Sequence, residues 1–113
     1  MNTRKVLSYA SIAAKAGHVR SGAVQTGESL RPGKAFLLLI SEDCSENRKK
    51  ELLAAAGNAG IPYRQIPADK ETLGKCIGKP ERSAIVITDG RLASAMIAAA
   101  DEKNATAGMP ASE

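Results

Sequence analysis

Tryptophan is absent from this chain of 113 residues, and its aromatics amount to one phenylalanine and two tyrosines. A core built from it must be aliphatic, and stacking of bases on an aromatic platform is disfavoured as a way of reading single-stranded RNA. Histidine occurs once, as His18, and cysteine twice, as Cys44 and Cys76, with no C-x-x-C pair. That spacing offers no clustered ligand set for a metal. Neither cysteine has a base beside it in sequence to activate it as a nucleophile, and nothing supports His18 as a general base. No cofactor and no metal site are expected.

Long hydrophobic runs are also missing. The longest, AFLLLI from Ala35 to Ile40, is far short of the ~20 residues that span a bilayer. With no secretory signal pattern ahead of the cysteines, a soluble cytoplasmic protein with reduced thiols and no membrane partner is the expectation. Charge of one sign is not dominant either. Sixteen Lys and Arg against twelve Asp and Glu give a net charge of +4 and a pI of about 9.3. That is a mild lean toward an acidic partner, and a solvated basic surface accounts for it equally well.

What is present is a pattern of alternating elements. The chain is 43% hydrophobic, which suits one compact domain, expected over residues 1–104, with an aperiodic disordered tail over 105–113 and a monomeric state. Val6, Leu7, Ala10, Ala13 and Ala14 recur at helical period and predict a helix from Thr3 to Ala16, stopped by Gly17. His18 to Arg20 reads as a short extended piece, after which Ser21 is expected to cap a second helix ending before Arg31-Pro32-Gly33. AFLLLI has the unbroken apolarity of a strand covered on both faces. Ser45 or Asp43 then opens a helix with Leu52, Leu53 and Ala56 on one face, closed by Gly57 and Gly60. A short strand follows around Tyr63 to Ile66, then a short helix capped by Asp69 that carries Leu73, Cys76 and Ile77 and stops at Gly78. Lys79 to Arg82 is a polar loop, Ser83 to Ile87 a second buried strand, and Asp89 starts a last helix with Leu92, Met96, Ile97 and Ala100 inward. Strands alternating with helices predict a layered α/β/α domain.

The stretch SGAVQTGES, Ser21 to Ser29, carries the glycine spacing of a phosphate-binding P-loop, with Gly22, Gly27 and Ser29 in place. Its lysine position holds Glu28, a carboxylate that would repel the phosphates the lysine neutralises, and no strong apolar strand precedes Gly22. A nucleotide site is not supported. The remaining chemistry is electrostatic. Lys15, His18, Arg20, Arg31 and Lys34 flank the second helix, and Lys75, Lys79 and Arg82 surround the late loop. Brought together with the free N–H groups after Ser21, they would suit an RNA backbone. Scattered solubilising cations are the plainer alternative.

In order and spacing, several pieces resemble the L7Ae/L30e superfamily of small ribosomal and kink-turn RNA-binding proteins, and within it the bacterial YlxQ-like branch. They are A-x-x-A-G-x-x-x-S-G from Ala13 to Gly22, G-K-A from Gly33, SEDCSEN from Ser41 to Asn47, IPY from Ile61 to Tyr63, LGKCIGK from Leu73 to Lys79, and IVITD from Ile85 to Asp89. The resemblance as a whole covers roughly residues 4 to 103. The resemblance implies a three-layer α/β/α sandwich around a four-stranded mixed sheet. It also implies an RNA-facing edge made by the start of the second helix, with a G-x-N-E-x-x-K signature, and by the loop before the last strand.

Gly22 matches the signature glycine and Ala23 follows it. Val24 stands at the asparagine position, Gln25 at the glutamate and Glu28 at the lysine. Val24 has no side-chain group to offer a base edge, Gln25 keeps a donor and an acceptor, and Glu28 reverses a phosphate-pairing charge. The resemblance therefore implies a non-catalytic, ribosomal-protein-like RNA binder with a degenerate kink-turn signature. Structured RNA or the ribosome is its expected partner. The candidate RNA contacts are Arg20, Ser21, Gly22, Ala23, Val24, Gln25 and Glu28 from one segment and Lys79, Arg82 and Ser83 from the other. A protein-interaction module on the same fold, using a small apolar patch at Ala23 and Val24, is the alternative.

Overall fold

The computed structural model describes residues 1–102, with only the backbone described at Ala23 and Val24. The expected tail over 105–113 lies outside the described residues. Five helices and four strands follow one another as α1 (Thr3–Lys15), β1 (Val19–Ser21), α2 (Ala23–Ser29), β2 (Leu37–Ile40), α3 (Glu46–Ala59), β3 (Tyr63–Gln65), α4 (Lys70–Cys76), β4 (Ala84–Ile87) and α5 (Gly90–Ala100). The strands form one mixed sheet in the order β1-β4-β2-β3. β4 runs antiparallel to both β1 and β2, whereas β2 and β3 are parallel and are joined through α3. This is the three-layer α/β/α sandwich with a four-stranded mixed sheet.

Every residue of β2 and β4 is buried, which is why these segments read as unbroken apolar runs rather than alternating ones. Their side chains nevertheless divide by face. Leu37, Leu39, Ile85 and Ile87 join Val6, Leu73 and Met96 in the core beneath α1, α4 and α5. Leu38, Ile40, Ala84 and Val86 join Leu52 and Ala56 beneath α3. The sheet also separates the cysteines: Cys44 is buried on the α3 side, while Cys76 packs against the opposite core.

Several helix ends follow from single residues. The side chains of Asn2, Ser45, Asp69 and Asp89 each accept a backbone N–H at the start of α1, α3, α4 and α5. The capping of α3 thus falls to Ser45; Asp43 instead accepts from the Ser41 hydroxyl at 2.8 Å and from the Lys70 N–H at 2.9 Å, tying the loop after β2 to the start of α4. Gly60 closes α3 in the left-handed region at φ 70°, where glycine has no Cβ penalty, while Gly57 lies within the helix.

The structure corrects two expectations: Gly57 does not close α3, and Ser21 does not cap α2. In α5 Met96 and Ala100 are buried as expected, together with Ala93 and Ala99, and Leu92 and Ile97 are half-buried and pack against the same core. α1 and α5 lie close together, with the Asn2 N–H bonded to the Ala99 carbonyl at 2.9 Å, and alanines at the seam permit that approach. Ser21 instead ends β1, paired with Ile85, and its hydroxyl accepts from Arg82, so Gly22 is the capping residue of α2 and makes no side-chain bond.

Candidate nucleic-acid interface

The strand register decides which distant segments meet. Pairing of Ser21 with Ile85 sets the end of β1, and hence the start of α2, beside the chain entering β4. The Arg82 Nε donates to the Ser21 Oγ at 3.1 Å, joining residues 61 apart in sequence. Between them Gly22 turns at φ 103° and ψ 159°, a region closed to residues with a Cβ. A groove of about 200 Å³ opens there, lined by Gly22, Arg48, Glu81, Arg82 and Ser83.

The late loop is held from below. The Lys79 N–H bonds to the Gly74 carbonyl at 3.0 Å, and the Arg82 N–H to the Lys70 carbonyl at 2.9 Å. Gly74 is buried, and a Cβ there would collide with the Pro80 carbonyl. The close approach of loop and helix thus requires glycine. The Ser83 carbonyl is engaged by the Ser41 N–H at 2.9 Å, fixing the entry to β4.

The charges of this groove come from Arg48 and Arg82, opposed by Glu81, whose carboxylate lies 3.9 Å from the Lys70 Nζ. Arg48 is not among the residues that the sequence singles out. It lies in the first turn of α3, 26 residues from Gly22, and the one available signal was its position just after the Ser45 cap. Because α2 spans only seven residues, the charge of the groove comes from side chains more than from a helix dipole, which scales with aligned peptide units.

The expected contacts therefore divide. Ser21, Gly22, Arg82 and Ser83 converge on the groove, with Ala23 and Val24 opening α2 beside it. Gln25 is exposed on α2, and Lys79 is exposed on the loop. Arg20 and Glu28 do not join that groove. They line a separate one at the far end of α2, of about 430 Å³, together with Arg31 and Lys34. Alternation along β1 explains the split, since neighbouring strand residues project to opposite faces.

Other chemistry finds little support. The residues between Gly22 and Gly27 are helical, so they do not wrap around a phosphate as a P-loop does. Burial pushes the Cys76 thiol up to about 11, leaving little thiolate near neutral pH. Among the described residues no cluster of three His, Cys, Asp or Glu side chains could hold a metal, and no helix is long and apolar enough to cross a membrane.

A mixed sheet between two helical layers, with arginines gathered where β1 and β4 meet, defines a small three-layer α/β/α protein whose candidate site is electrostatic. Over residues 4–97 the chain matches the model of the ribosomal protein L7Ae/L30e/S12e/Gadd45 family, and it belongs to that family. It is 30% identical to the RNA-binding protein YlxQ of Bacillus subtilis (strain 168), over 80% of this chain and 89% of that one. It is 26% identical to RNA-binding protein YlxQ of Enterococcus faecium, over 79% and 85% of the two chains. Within the family it thus falls in the YlxQ-like bacterial branch. A protein of unknown function from Bacillus halodurans C superposes with a TM-score of 0.80 at 32% identity, covering 87% of this chain and 98% of that one. The Giardia lamblia 15.5kD RNA binding protein shares the fold, with a TM-score of 0.71 at 20% identity over 87% and 86%.

Proposed function

We propose that this protein is a non-catalytic RNA-binding protein that holds structured RNA, in the setting of the ribosome, mainly through backbone phosphates. One observation carries the reading: the Arg82–Ser21 hydrogen bond of 3.1 Å joins the late loop to the start of α2 and completes a groove with Arg48 on its wall. Two guanidiniums at one groove match phosphate geometry, and the backbone at Gly22 carries no Cβ to bar a close approach. The names of the YlxQ relatives support the same class of ligand. Phosphate contacts position an RNA without reading its bases, so binding of this kind survives the changed signature at Val24, Gln25 and Glu28.

The test is filter binding of fragmented ribosomal RNA by wild type and by the Arg48→Ala/Arg82→Ala variant over a range of salt. The variant is expected to bind all fragments more weakly, with a salt slope shallower by about 0.7–0.9 for each phosphate it no longer neutralises. Wild type that binds no RNA would overturn the reading and favour the protein-interaction module.

A further inference from the structure

From the groove at the far end of α2 we infer a second phosphate-holding site, which extends the RNA footprint past the Arg48–Arg82 groove. The inference rests on the RNA-binding reading but on different residues. Arg20 from β1, Arg31 and Lys34 from the turn after α2, and Glu28 from its last turn line a space of about 430 Å³ with Thr88 beside them. Three cations face one carboxylate.

The turn makes this arrangement. Gly33 takes φ 76°, and the N–H groups of Lys34 and Ala35 both bond to the Arg31 carbonyl, at 3.0 and 3.2 Å. The chain thereby folds back and brings Lys34 to the side of Arg31. Both arginines are steadied by backbone oxygens rather than by carboxylates. The Arg31 Nε donates to the Glu28 carbonyl at 2.9 Å, and the Arg20 Nη1 to the carbonyls of Gly17 and Val19 at 3.2 and 3.0 Å. Each guanidinium has five N–H donors, so both retain donors for a ligand and an unneutralised charge. The ion pairs among the described residues, Lys5–Glu102, Arg64–Asp101 and Lys70–Glu81, involve none of these side chains. Two guanidiniums held in place without a carboxylate partner suit an oxyanion, with Lys34 adding charge beside them. α2 spans about 10 Å at 1.5 Å per residue, a few nucleotide steps of one strand, so one RNA strand can reach both grooves. Glu28 weakens the second site, because it repels a phosphate that the three cations attract.

The experiment measures binding of the same fragmented ribosomal RNA by Arg20→Ala/Arg31→Ala/Lys34→Ala, by Glu28→Gln, and by the two combined. The triple variant is expected to lose about tenfold in affinity at ~0.1 M salt, with a slope shallower by about 2. Glu28→Gln, which adds no bulk, is expected to bind about two- to fivefold more tightly, and this gain should vanish in the combined variant because it acts through the same groove. Wild-type affinity and slope in the triple variant, alongside weakened binding in Arg48→Ala/Arg82→Ala, would overturn this site and leave the RNA reading intact. A Glu28→Gln gain that persists without the three cations would equally overturn it. Wild type that binds no RNA would overturn both.

Discussion

The resemblance noted in the sequence implies Asn, Glu and Lys at the positions of Val24, Gln25 and Glu28 in a kink-turn binder, and on that expectation each difference has its own physical consequence. Val24 offers no polar group to a base edge, Gln25 retains one donor and one acceptor group, and Glu28 would put an anion where the implied signature has a phosphate-pairing cation. Gln25 and Glu28 are both exposed, so neither change reflects a demand of the core. Restoring Val24→Asn, Gln25→Glu and Glu28→Lys together is therefore expected to convert weak or absent binding of a standard kink-turn into readily measured binding. A good base-edge contact is worth about 1–3 kcal/mol in duplex DNA, or roughly tenfold or more for each base so read. Titration of a labelled kink-turn RNA checks this, and tight binding by the unmodified protein would show that the three changes do not matter.

At the scale of the element, α4 and the loop that follows it behave as one unit. Gly74 admits the Pro80 carbonyl, Lys79 and Arg82 hang from the carbonyls of Gly74 and Lys70, and Arg82 then reaches Ser21. A methyl group at Gly74 must push the loop away or distort the helix. Gly74→Ala is expected to cost about 1–3 kcal/mol, the range of overpacking in a filled site, although alanine is the better helix former. The same variant is expected to weaken RNA binding, because displacement of the loop carries Arg82 out of the groove. Thermal denaturation and RNA titration of this variant check both effects; an unchanged melting temperature would mean that the loop yields without cost.

At the scale of the whole molecule, a few polar contacts tie the two ends of the described chain to each other and to the sheet edge. The Asn2 N–H meets the Ala99 carbonyl, and Arg64 on the edge strand β3 grips Asp101 just beyond α5 through two hydrogen bonds of 2.7 and 2.8 Å. The hydrogen bond from Arg64 is the main reason the Asp101 carboxyl is held below the ordinary carboxylate range. A lowered value means that the folded state binds this proton less readily than the unfolded one. The stabilisation is therefore complete above the unfolded carboxylate value of about 3.9 and is lost as pH falls through the lower folded value. The melting temperature of Asp101→Asn should lie below that of wild type at pH 7, by a small margin because the pair is exposed. The two should converge in acid below about pH 3.9. A gap that persists undiminished at pH 2 would assign the effect to something other than this ionisation.

Period and punctuation in the sequence determined the layered α/β/α class, the buried character of β2 and β4, and the helix caps at Asp69 and Asp89, because each depends on side chains within a few residues of one another; the structure chose Ser45 over Asp43 as the cap of α3 and Gly60 over Gly57 as its close. The four-stranded mixed sheet was legible through ordered motifs, from Ala13 to Gly22 and from Ile85 to Asp89, rather than through periodicity; the RNA-facing edge that the same motifs imply is an expectation. What only the tertiary structure decided is which residues share a groove. Pairing of Ser21 with Ile85 brought Arg82 to the start of α2, and the course of α3 added Arg48. Alternation along β1 and the turn at Gly33 sent Arg20 to Glu28, Arg31 and Lys34 instead. Charge is visible in a sequence, but its neighbours are set by strand register across dozens of residues. No local propensity encodes that register; a one-residue slip of β1 would carry the exposed Arg20 to the face that Val19 and Ser21 occupy, so the packing of the sheet decides it.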